Sequence, residues 1–146
     1  MTRMSPATAG RTARHVLHAI ALAAFVEIAI RTVTLPRLGR VLGVNVDLAE
    51  QEPPTTLSEP RRLDPDAAAR YRAAQRVLRV WPWGHRGPCL RLALIGGSLL
   101  RARSPELHLG VARIQGRVVA HAWLTVDDVH LDPTADRYTP LLERTR

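Results

Sequence analysis

The chain contains one cysteine, Cys89, within the apolar stretch GPCLRLALIGGSLLRAR that spans residues 87–103. The Gly-Pro pair directly before it is a helix-start signal, so the sequence places the sulfur in the first turn of a helix. There the helix dipole and the free backbone N–H groups favour the thiolate, the nucleophilic form of cysteine. A lone cysteine in apolar surroundings is also an ordinary small core residue. Position alone therefore leaves both roles open for Cys89.

A second group of reactive side chains lies in the stretch VVAHAWLTVDDVHLDPTAD. Alternating apolar residues predict two strands here, 117–126 and 129–134, joined by the turn residues Asp127–Asp128. A two-residue turn pairs Trp123 with Asp132. The register of this hairpin decides which side chains meet.

In this register His121 pairs with Thr134 and lies on the same face of the sheet as Asp132. Diagonal neighbours on one face are roughly 7–8 Å apart at Cα, a gap that an imidazole and a carboxylate can close. A cysteine, a histidine that activates it and an acid that orients the histidine form a nucleophilic triad. Cys89, His121 and Asp132 are therefore the candidate catalytic residues.

Each member also has a simpler alternative role. His121 is consistent with an ordinary strand histidine, and Asp132 with the start of a turn. A three-residue turn would flip the register and make Asp127 or Asp128 the partner of the histidine. The remaining histidines of this half are expected in loops, at strand ends or near the surface: His85, His108 and His130. Among the rare aromatic residues, Trp123 and Trp83 are candidates for substrate binding, although a core role suits Trp123 as well.

The elements that must position these residues change in type along the chain. Apolar periodicity and helix-end signals predict helices first, and alternation predicts strands after residue 106. We expect an α+β domain in which N-terminal helices and a cysteine-bearing helix precede an antiparallel sheet. The predicted helices are 13–30, 34–44, 64–80 and one that starts at Pro88 or Cys89 and ends near Arg103, with a kink or tight packing at Gly96 and Gly97. The predicted strands are 107–114, 117–126 and 129–134.

We divide the chain into a helical N-terminal region with a linker, residues 1–60, and a catalytic core, residues 61–146. Residues 1–12 are small and polar and are expected to fray. Residues 51–60, QEPPTTLSEP, contain three prolines and are expected to form the linker or a surface loop.

The net charge of +8 comes from 21 arginines, with no lysine, against 13 acidic residues. The arginines are scattered and lack interleaved aromatic residues, which argues against nucleic-acid binding. One cysteine forms no internal disulfide, which fits the cytoplasm, and no zinc or phosphate-loop pattern is present, so we expect no metal and no cofactor. The apolar run within residues 15–30 is interrupted by His18 and Glu27. We interpret it as a buried or amphipathic helix, with peripheral membrane contact left open.

A cysteine at a helix start, HAW on one strand and LDPT on the next resemble the transglutaminase-like branch of the papain-fold cysteine proteases. Within that branch, the pattern CL…LL…R…LHLGVARI…AHAWL resembles the leader peptidases of lasso-peptide biosynthesis, best over residues 85–136. The resemblance implies Cys89 as the nucleophile, His121 as the general base and Asp132 as the acid. It also implies a ribosomally made precursor peptide as substrate, whose leader is removed before a separate lasso cyclase closes the macrolactam. Thr125 departs from the acidic residue that is frequent after HAWL, which leaves substrate preference open.

Residues 1–60 are too poor in predicted strands to form a leader-recognition module. We therefore expect a separate leader-binding protein as a partner, with the cyclase as a further candidate. The leader-binding protein is expected to contact an apolar surface around residues 16–44, which is rimmed by Arg31, Arg37 and Arg40. Two rival functions stay open: another papain-fold activity such as an amidase or a transglutaminase, and a non-catalytic arginine-rich peptide-binding module.

Overall fold

The computed structural model describes residues 6–47, 63–82 and 87–140 of the chain. These residues combine helices with a sheet, which confirms the predicted α+β class. The helices are α1 (Pro6–Thr32), α2 (Leu35–Leu42), α3 (Pro65–Val80) and α4 (Pro88–Leu99), and the strands are β1 (Asn45–Asp47), β2 (Glu106–Ile114), β3 (Arg117–Val126), β4 (Val129–His130) and β5 (Thr139–Pro140). The predicted linker at residues 51–60 lies outside the described residues.

Local sequence signals explain the ends of two helices. Pro36 lies in the first turn of α2, and Gly43 ends that helix with a φ of 70°, a left-handed conformation that a Cβ disfavours. The carboxylate of Asp64 caps α3 by accepting the backbone N–H groups of Asp66 and Ala67.

Two helix boundaries differ from the prediction. Helix α1 begins at Pro6, so the expectation of frayed residues is wrong from residue 6 onward. Proline suits a first helical turn, and the alanines that follow have high helix propensity. Helix α4 ends at Leu99, and the rest of the predicted helix forms a separate 3-10 turn, Arg101–Arg103.

The sheet is built around the long antiparallel hairpin of β2 and β3, in which Leu107 pairs with Leu124 and Gly110 with His121. On the other edge of β2, β1 pairs in parallel and β5 pairs antiparallel. The sheet is therefore mixed and not purely antiparallel as predicted. β1 and β5 are only three and two residues long, too short to show an alternating pattern in the sequence.

The turn at Asp127–Asp128 has the predicted length of two residues. Both residues have positive φ, 51° and 63°, and Val126 pairs with Val129 across the turn. The guanidinium of Arg103 donates to the carboxylates of Asp127 and Asp64. It thereby connects the hairpin turn to the start of α3.

Strand β4, predicted to span residues 129–134, ends at His130, four residues earlier than predicted. Asp132 therefore does not pair with Trp123, and Thr134 does not pair with His121. The proline after Asp132 has no N–H to donate to a strand neighbour. Instead, the Asp132 carboxylate accepts the backbone N–H of Thr134 at 2.7 Å and closes a local turn.

Helix α4 packs against one face of the β2–β3 hairpin, the face that carries Leu107, Ala122 and Leu124, and α1 and α3 pack on α4. Helix α4 contacts α1, α2, α3, β2 and β3 and thus lies at the centre of this core. The opposite face of the hairpin carries His108 and Trp123, which form a cross-strand pair.

Two glycines of α4 permit its close approach to neighbouring elements. A Cβ at Gly96 would lie 2.8 Å from the ring of Tyr71, and a Cβ at Gly97 would lie 2.7 Å from Cγ2 of Val44. Both distances are shorter than carbon–carbon van der Waals contact. The predicted tight packing at this glycine pair is confirmed.

A buried ion pair connects α1 to α4. The Nε and Nη2 atoms of Arg91 donate to the two carboxylate oxygens of Glu27 at 2.9 and 3.2 Å, and both residues are more than nine-tenths buried. Arg31 donates to the same carboxylate at 2.7 Å. The hydrogen bond from Arg91 holds the pKa of Glu27 below its ordinary value and outweighs burial, which acts in the opposite direction.

Helix α1 has one buried and one exposed apolar face. The segment Gly10–Thr32 is long and apolar enough to cross a membrane, with a mean hydropathy of 1.6, and one-third of its most apolar part is buried in the fold. On its buried side, the alanines and the valine at positions 19, 23 and 26 join the common core, and Glu27 meets its partner Arg91. The exposed side carries Leu17, Ile20, Phe25 and Ile28.

Candidate functional site

A cavity of about 430 Å³ lies between α3, α4 and β3. Its volume is within the range of small-ligand sites in proteins. Cys89, His121 and Asp132 all line it, so the structure brings the three predicted catalytic residues to one place. Helix α3 contributes Tyr71 and Gln75 to the opposite wall.

Cys89 lies in the first turn of α4, as predicted. Gly87 precedes the helix with a φ of 60°, Pro88 is its first residue, and no acidic residue is present in this turn. The thiol is free and half-buried. Its backbone N–H is one of the first four of the helix, which have no carbonyl partner within the helix. The helix end thus supplies an N–H group that can stabilise negative charge on a reacting group.

His121 and Asp132 form a hydrogen bond of 2.7 Å between Nε2 and Oδ2. An ionised carboxylate can only accept, so Nε2 of the imidazole carries the proton. In the neutral ring, Nδ1 therefore holds the lone pair and is the atom that can take a proton from a thiol. Asp132 thus selects the imidazole tautomer that a general base requires.

Asp132 is itself held in place by Thr134. Its Oδ1 accepts the backbone N–H and the hydroxyl of Thr134, both at 2.7 Å. Burial alone would raise the pKa of Asp132, but the hydrogen bonds from Thr134 and His121 together lower it below its ordinary value. The carboxylate therefore stays ionised and continues to accept from His121.

Aromatic rings surround the imidazole of His121. The ring of Tyr138 stacks on it with centroids 4.5 Å apart and an interplanar angle of 27°. Trp123 flanks it at 6.2 Å and lines the cavity, although only 5% of this tryptophan is exposed. Tyr138 was not among the predicted site residues, and the rarity of aromatic residues in this chain is the one sequence signal that points to it.

The α3 wall of the cavity adds polar groups that the sequence analysis did not identify. Burial raises the pKa of Tyr71 to about 12, and the nearby Asp132 carboxylate adds to this effect. The phenol therefore keeps its proton and stays a hydrogen-bond donor at neutral pH. Gln75 offers an amide, and Arg79 offers a positive charge near the cavity. Tyr71, Gln75 and Arg79 are each four residues apart and so lie on one face of α3. They line the cavity only because α3 packs against α4, which the spacing alone does not indicate.

The alternative site residues lie elsewhere. Asp127 binds Arg103, and Asp128 is an exposed turn residue. Nδ1 of His130 lies 3.1 Å from the Thr125 hydroxyl, and the ring of His108 stacks on Trp123. Two predicted candidates, Trp83 and His85, lie outside the described residues.

The side chains gathered in the cavity suit acyl transfer. A thiol can act as nucleophile, an imidazole can move its proton, and a carboxylate can orient the imidazole. Within the three described ranges, histidine, cysteine and carboxylate side chains form no group of three that could hold a metal ion.

The chain was compared with known protein families, with curated proteins and with solved structures. The family described as Transglut_core3, the transglutaminase-like superfamily, matches residues 22–143, which include the cavity and the whole sheet. No curated protein and no solved structure matches the chain.

Proposed function

Because the chain belongs to the transglutaminase-like superfamily, we propose that it is a cysteine peptidase that uses Cys89, His121 and Asp132 to remove the leader from a lasso-peptide precursor. The observation that carries this proposal is the 2.7 Å bond between Nε2 of His121 and Asp132 in the same cavity as the only cysteine. Superfamily members are often cysteine peptidases or acyltransferases.

In the first half-reaction the Cys89 thiol gives its proton to Nδ1 of His121, and the thiolate attacks the scissile carbonyl carbon. The oxyanion that forms accepts from the backbone N–H of Cys89. On the described α3 wall, Tyr71, Gln75 and Arg79 offer further donors. The C–N bond then breaks, Nδ1 returns the proton to the leaving amine, and the leader stays bound as a thioester.

In the second half-reaction a water molecule replaces the departed amine. Nδ1 of His121 takes a proton from the water, and the hydroxide attacks the thioester carbon. The C–S bond then breaks, and Nδ1 returns its proton to the sulfur of Cys89, which restores the thiol. The products are a leader with a free carboxylate and a core peptide with a free amino terminus. Throughout, Asp132 accepts from Nε2 and stabilises the imidazolium.

The choice of a lasso-peptide precursor as substrate rests on the sequence resemblance of residues 85–136 to the leader peptidases. A free amino terminus on the core is the group that a macrolactam-forming cyclase needs. The absence of disulfide chemistry in a single-cysteine chain agrees with a cytoplasmic location for this reaction.

We further propose a separate leader-binding protein as partner, with the exposed face of α1 as its contact. Leu17 and Ile28 are each about two-thirds exposed there. Arg37 and Arg40 lie on the neighbouring helix α2, and both are exposed. Arginines beside an apolar surface suit a partner with acidic residues, and the net charge of +8 would speed the encounter.

The partner proposal has a direct test. Precursor cleavage is measured with and without the candidate leader-binding protein, at low and high salt. We expect faster cleavage with the partner, because a protein that binds both the leader and the protease raises the effective concentration of the scissile bond at the active site. This acceleration should be lost at high salt, because salt screens the attraction between the charged surfaces. Equal rates in all conditions, with no complex on size exclusion, would contradict the proposal and indicate a self-sufficient peptidase.

The cysteine itself is tested by Cys89→Ala. The variant removes the thiolate and little volume, so we expect an intact fold and complete loss of precursor cleavage in mass spectrometry.

Alkylation by iodoacetamide near neutral pH should be fast in the unmodified protein. A folded alanine variant that still cleaves the precursor would end the cysteine-peptidase proposal, and slow alkylation would favour the non-catalytic peptide-binding module. If alkylation is fast but no precursor is cleaved, another amidase or transglutaminase activity becomes the better proposal.

A further inference from the structure

A second cavity, of about 400 Å³, lies between the N-terminal part of α1 and the first turns of α3. Helix α1 contributes Arg11 and His15 to its lining, and α3 contributes Asp66, Arg72 and Arg76. None of these residues lines the cavity that contains Cys89. The proposed peptidase mechanism therefore leaves this cavity without a role.

The lining of the second cavity is strongly positive. In the described part of the chain, no hydrogen bond or ion pair occupies the guanidinium groups of Arg11, Arg72 and Arg76. Asp66, the carboxylate in the lining, already accepts from Nε of Arg70 at 2.9 Å. Three cations thus face one cavity whose carboxylate is neutralised by a fourth arginine.

The spacing of these residues explains why they converge. Arg72 and Arg76 are four residues apart on α3, and Arg11 and His15 are four residues apart on α1, so each pair shares one face of its helix. The two faces meet where α1 packs on α3. The first N–H groups of α3 play no part, because Asp64 already accepts from two of them.

His15 adds an independent observation. It is 92% buried, it lines the cavity, and its Nδ1 atom is buried with no hydrogen-bond partner among the described residues. Burial lowers the pKa of His15; Asp66 opposes this effect, and Arg70, Arg14 and Arg11 reinforce it. A buried polar atom without a partner is costly, and a ligand that accepts from it would remove this cost.

From this geometry we infer that the α1–α3 cavity is a binding site for a small anion that carries phosphate groups. A guanidinium donates two parallel hydrogen bonds to phosphate oxygens, and three guanidinium groups match the several oxygens and charges of a diphosphate. The neutral imidazole of His15 supplies one more donor. Because residues from both helices would bind the ligand, its binding would also stabilise the contact between α1 and α3.

The test uses the full chain and inorganic pyrophosphate as the probe, with citrate as a carboxylate anion of similar charge. Binding is measured by isothermal titration calorimetry and by the melting temperature. We expect pyrophosphate to bind more tightly than citrate and to raise the melting temperature. The double variant Arg72→Gln/Arg76→Gln should weaken pyrophosphate binding by about tenfold or more, since charged hydrogen bonds are lost.

The matched control is Arg113→Gln/Arg117→Gln, which removes the same two charges from exposed positions of the β2–β3 hairpin. We expect this control to bind pyrophosphate within about twofold of the unmodified protein, the residual change reflecting only long-range charge. Arg11→Gln tests the α1 wall separately and should also weaken binding. In NMR, pyrophosphate should raise the pKa of the His15 imidazole, because a nearby anion favours its protonated form.

Three results would overturn the inference: no binding of pyrophosphate at millimolar concentration, equal loss of binding in the control pair, or citrate binding as tight as that of pyrophosphate. Equal loss in the control would assign the effect to the overall charge of the chain. Tight citrate binding would point to carboxylate-rich ligands instead.

Discussion

At the scale of single residues, the site depends on which nitrogen of His121 carries the proton. The acceptor at Nε2 is a carboxylate with a lowered pKa, and this carboxylate is held by two hydrogen bonds from Thr134. An amide in its place could present N–H to the ring and stabilise the opposite tautomer. The proton of the imidazole would then occupy Nδ1, the atom that takes the proton of the thiol in the proposed mechanism.

Asp132→Asn is therefore expected to lower precursor turnover by on the order of 10²–10⁴ while the fold is kept. The control is Asp128→Asn, which makes the same chemical change at an exposed turn position with positive φ, where asparagine is well tolerated. Turnover is measured by mass spectrometry, and the fold by circular dichroism. Equal turnover in the two variants would show that Asp132 does not orient the histidine.

Tyr138 is expected to act as a positioning residue through its stack on His121. Tyr138→Leu should lower kcat/KM by about 2- to 10-fold, the range expected for the loss of one aromatic pair, and should alter the pH profile of Cys89 alkylation. Tyr138→Phe keeps the ring and should stay within about twofold of the unmodified protein, because the stack needs only the ring face. A phenylalanine variant as impaired as the leucine variant would transfer the effect from the ring to the hydroxyl.

At the scale of elements, α4 carries the nucleophile and also packs against more neighbours than the other helices described. Its glycines at 96 and 97 lie where two neighbours approach too closely for a side chain. Glycine normally weakens a helix interior by up to about 1 kcal/mol relative to alanine. Here close packing outweighs helix propensity, and the position of Cys89 depends on that packing.

Gly97→Ala should destabilise the protein by about 1–2 kcal/mol, because the added methyl group meets Val44 and overpacking exceeds the gain in helix propensity. Gly10→Ala in α1 is the matched control, since no described atom outside the helix's own backbone lies within 4 Å of a Cβ there, and it should stabilise by up to about 1 kcal/mol. Urea unfolding measures both changes. A stabilising Gly97→Ala would show that the neighbours of α4 rearrange at little cost.

The elements also show how far the sequence could be interpreted. The α3 cap at Asp64, the end of α2 at Gly43 and the Asp127–Asp128 turn were predictable, since each depends on a few adjacent residues. The position of Asp132 was predicted for the wrong reason: it reaches His121 from a turn, not from a strand. Tyr138 and the α3 wall were not predictable, because their relevance arises only when distant segments pack together.

At the scale of the whole molecule, the buried pair of Glu27 and Arg91 links stability to pH. The pKa of Glu27 is lowered in the folded protein, so its contribution to stability is present above the pKa of the unfolded chain and is lost as the pH falls through the lower, folded value. Asp132 has a lowered pKa as well and acts in the same direction. The free energy of unfolding should therefore fall steeply once the pH is below 4.5, the ordinary pKa of a glutamate side chain.

Glu27→Gln should lower the free energy of unfolding by about 3 kcal/mol at pH 7, because the buried guanidinium of Arg91 loses the charged hydrogen bonds to the Glu27 carboxylate. The variant should also lose less stability than the unmodified protein between pH 7 and pH 4, since it lacks one carboxylate that acid would protonate. Asp136→Asn, an exposed acid, is the control and should change neither quantity by more than about 0.5 kcal/mol. Urea unfolding at pH 7 and pH 4 measures the free energy of unfolding of both variants. Equal changes in Glu27→Gln and Asp136→Asn would contradict this role of the ion pair.

The same ion pair joins residues that are 64 positions apart in the chain. A ribosome adds about 5–20 residues per second, so Glu27 emerges roughly 3–13 s before Arg91, its partner on α4. During this interval α1 has both apolar faces uncovered, and the Glu27 carboxylate has Arg31 of the same helix as a partner but not Arg91. The nascent chain is thus most exposed to aggregation and to chaperones before α4, with its cysteine, has left the ribosome, and the nucleophile becomes part of a stable fold only when synthesis is well past the middle of the chain.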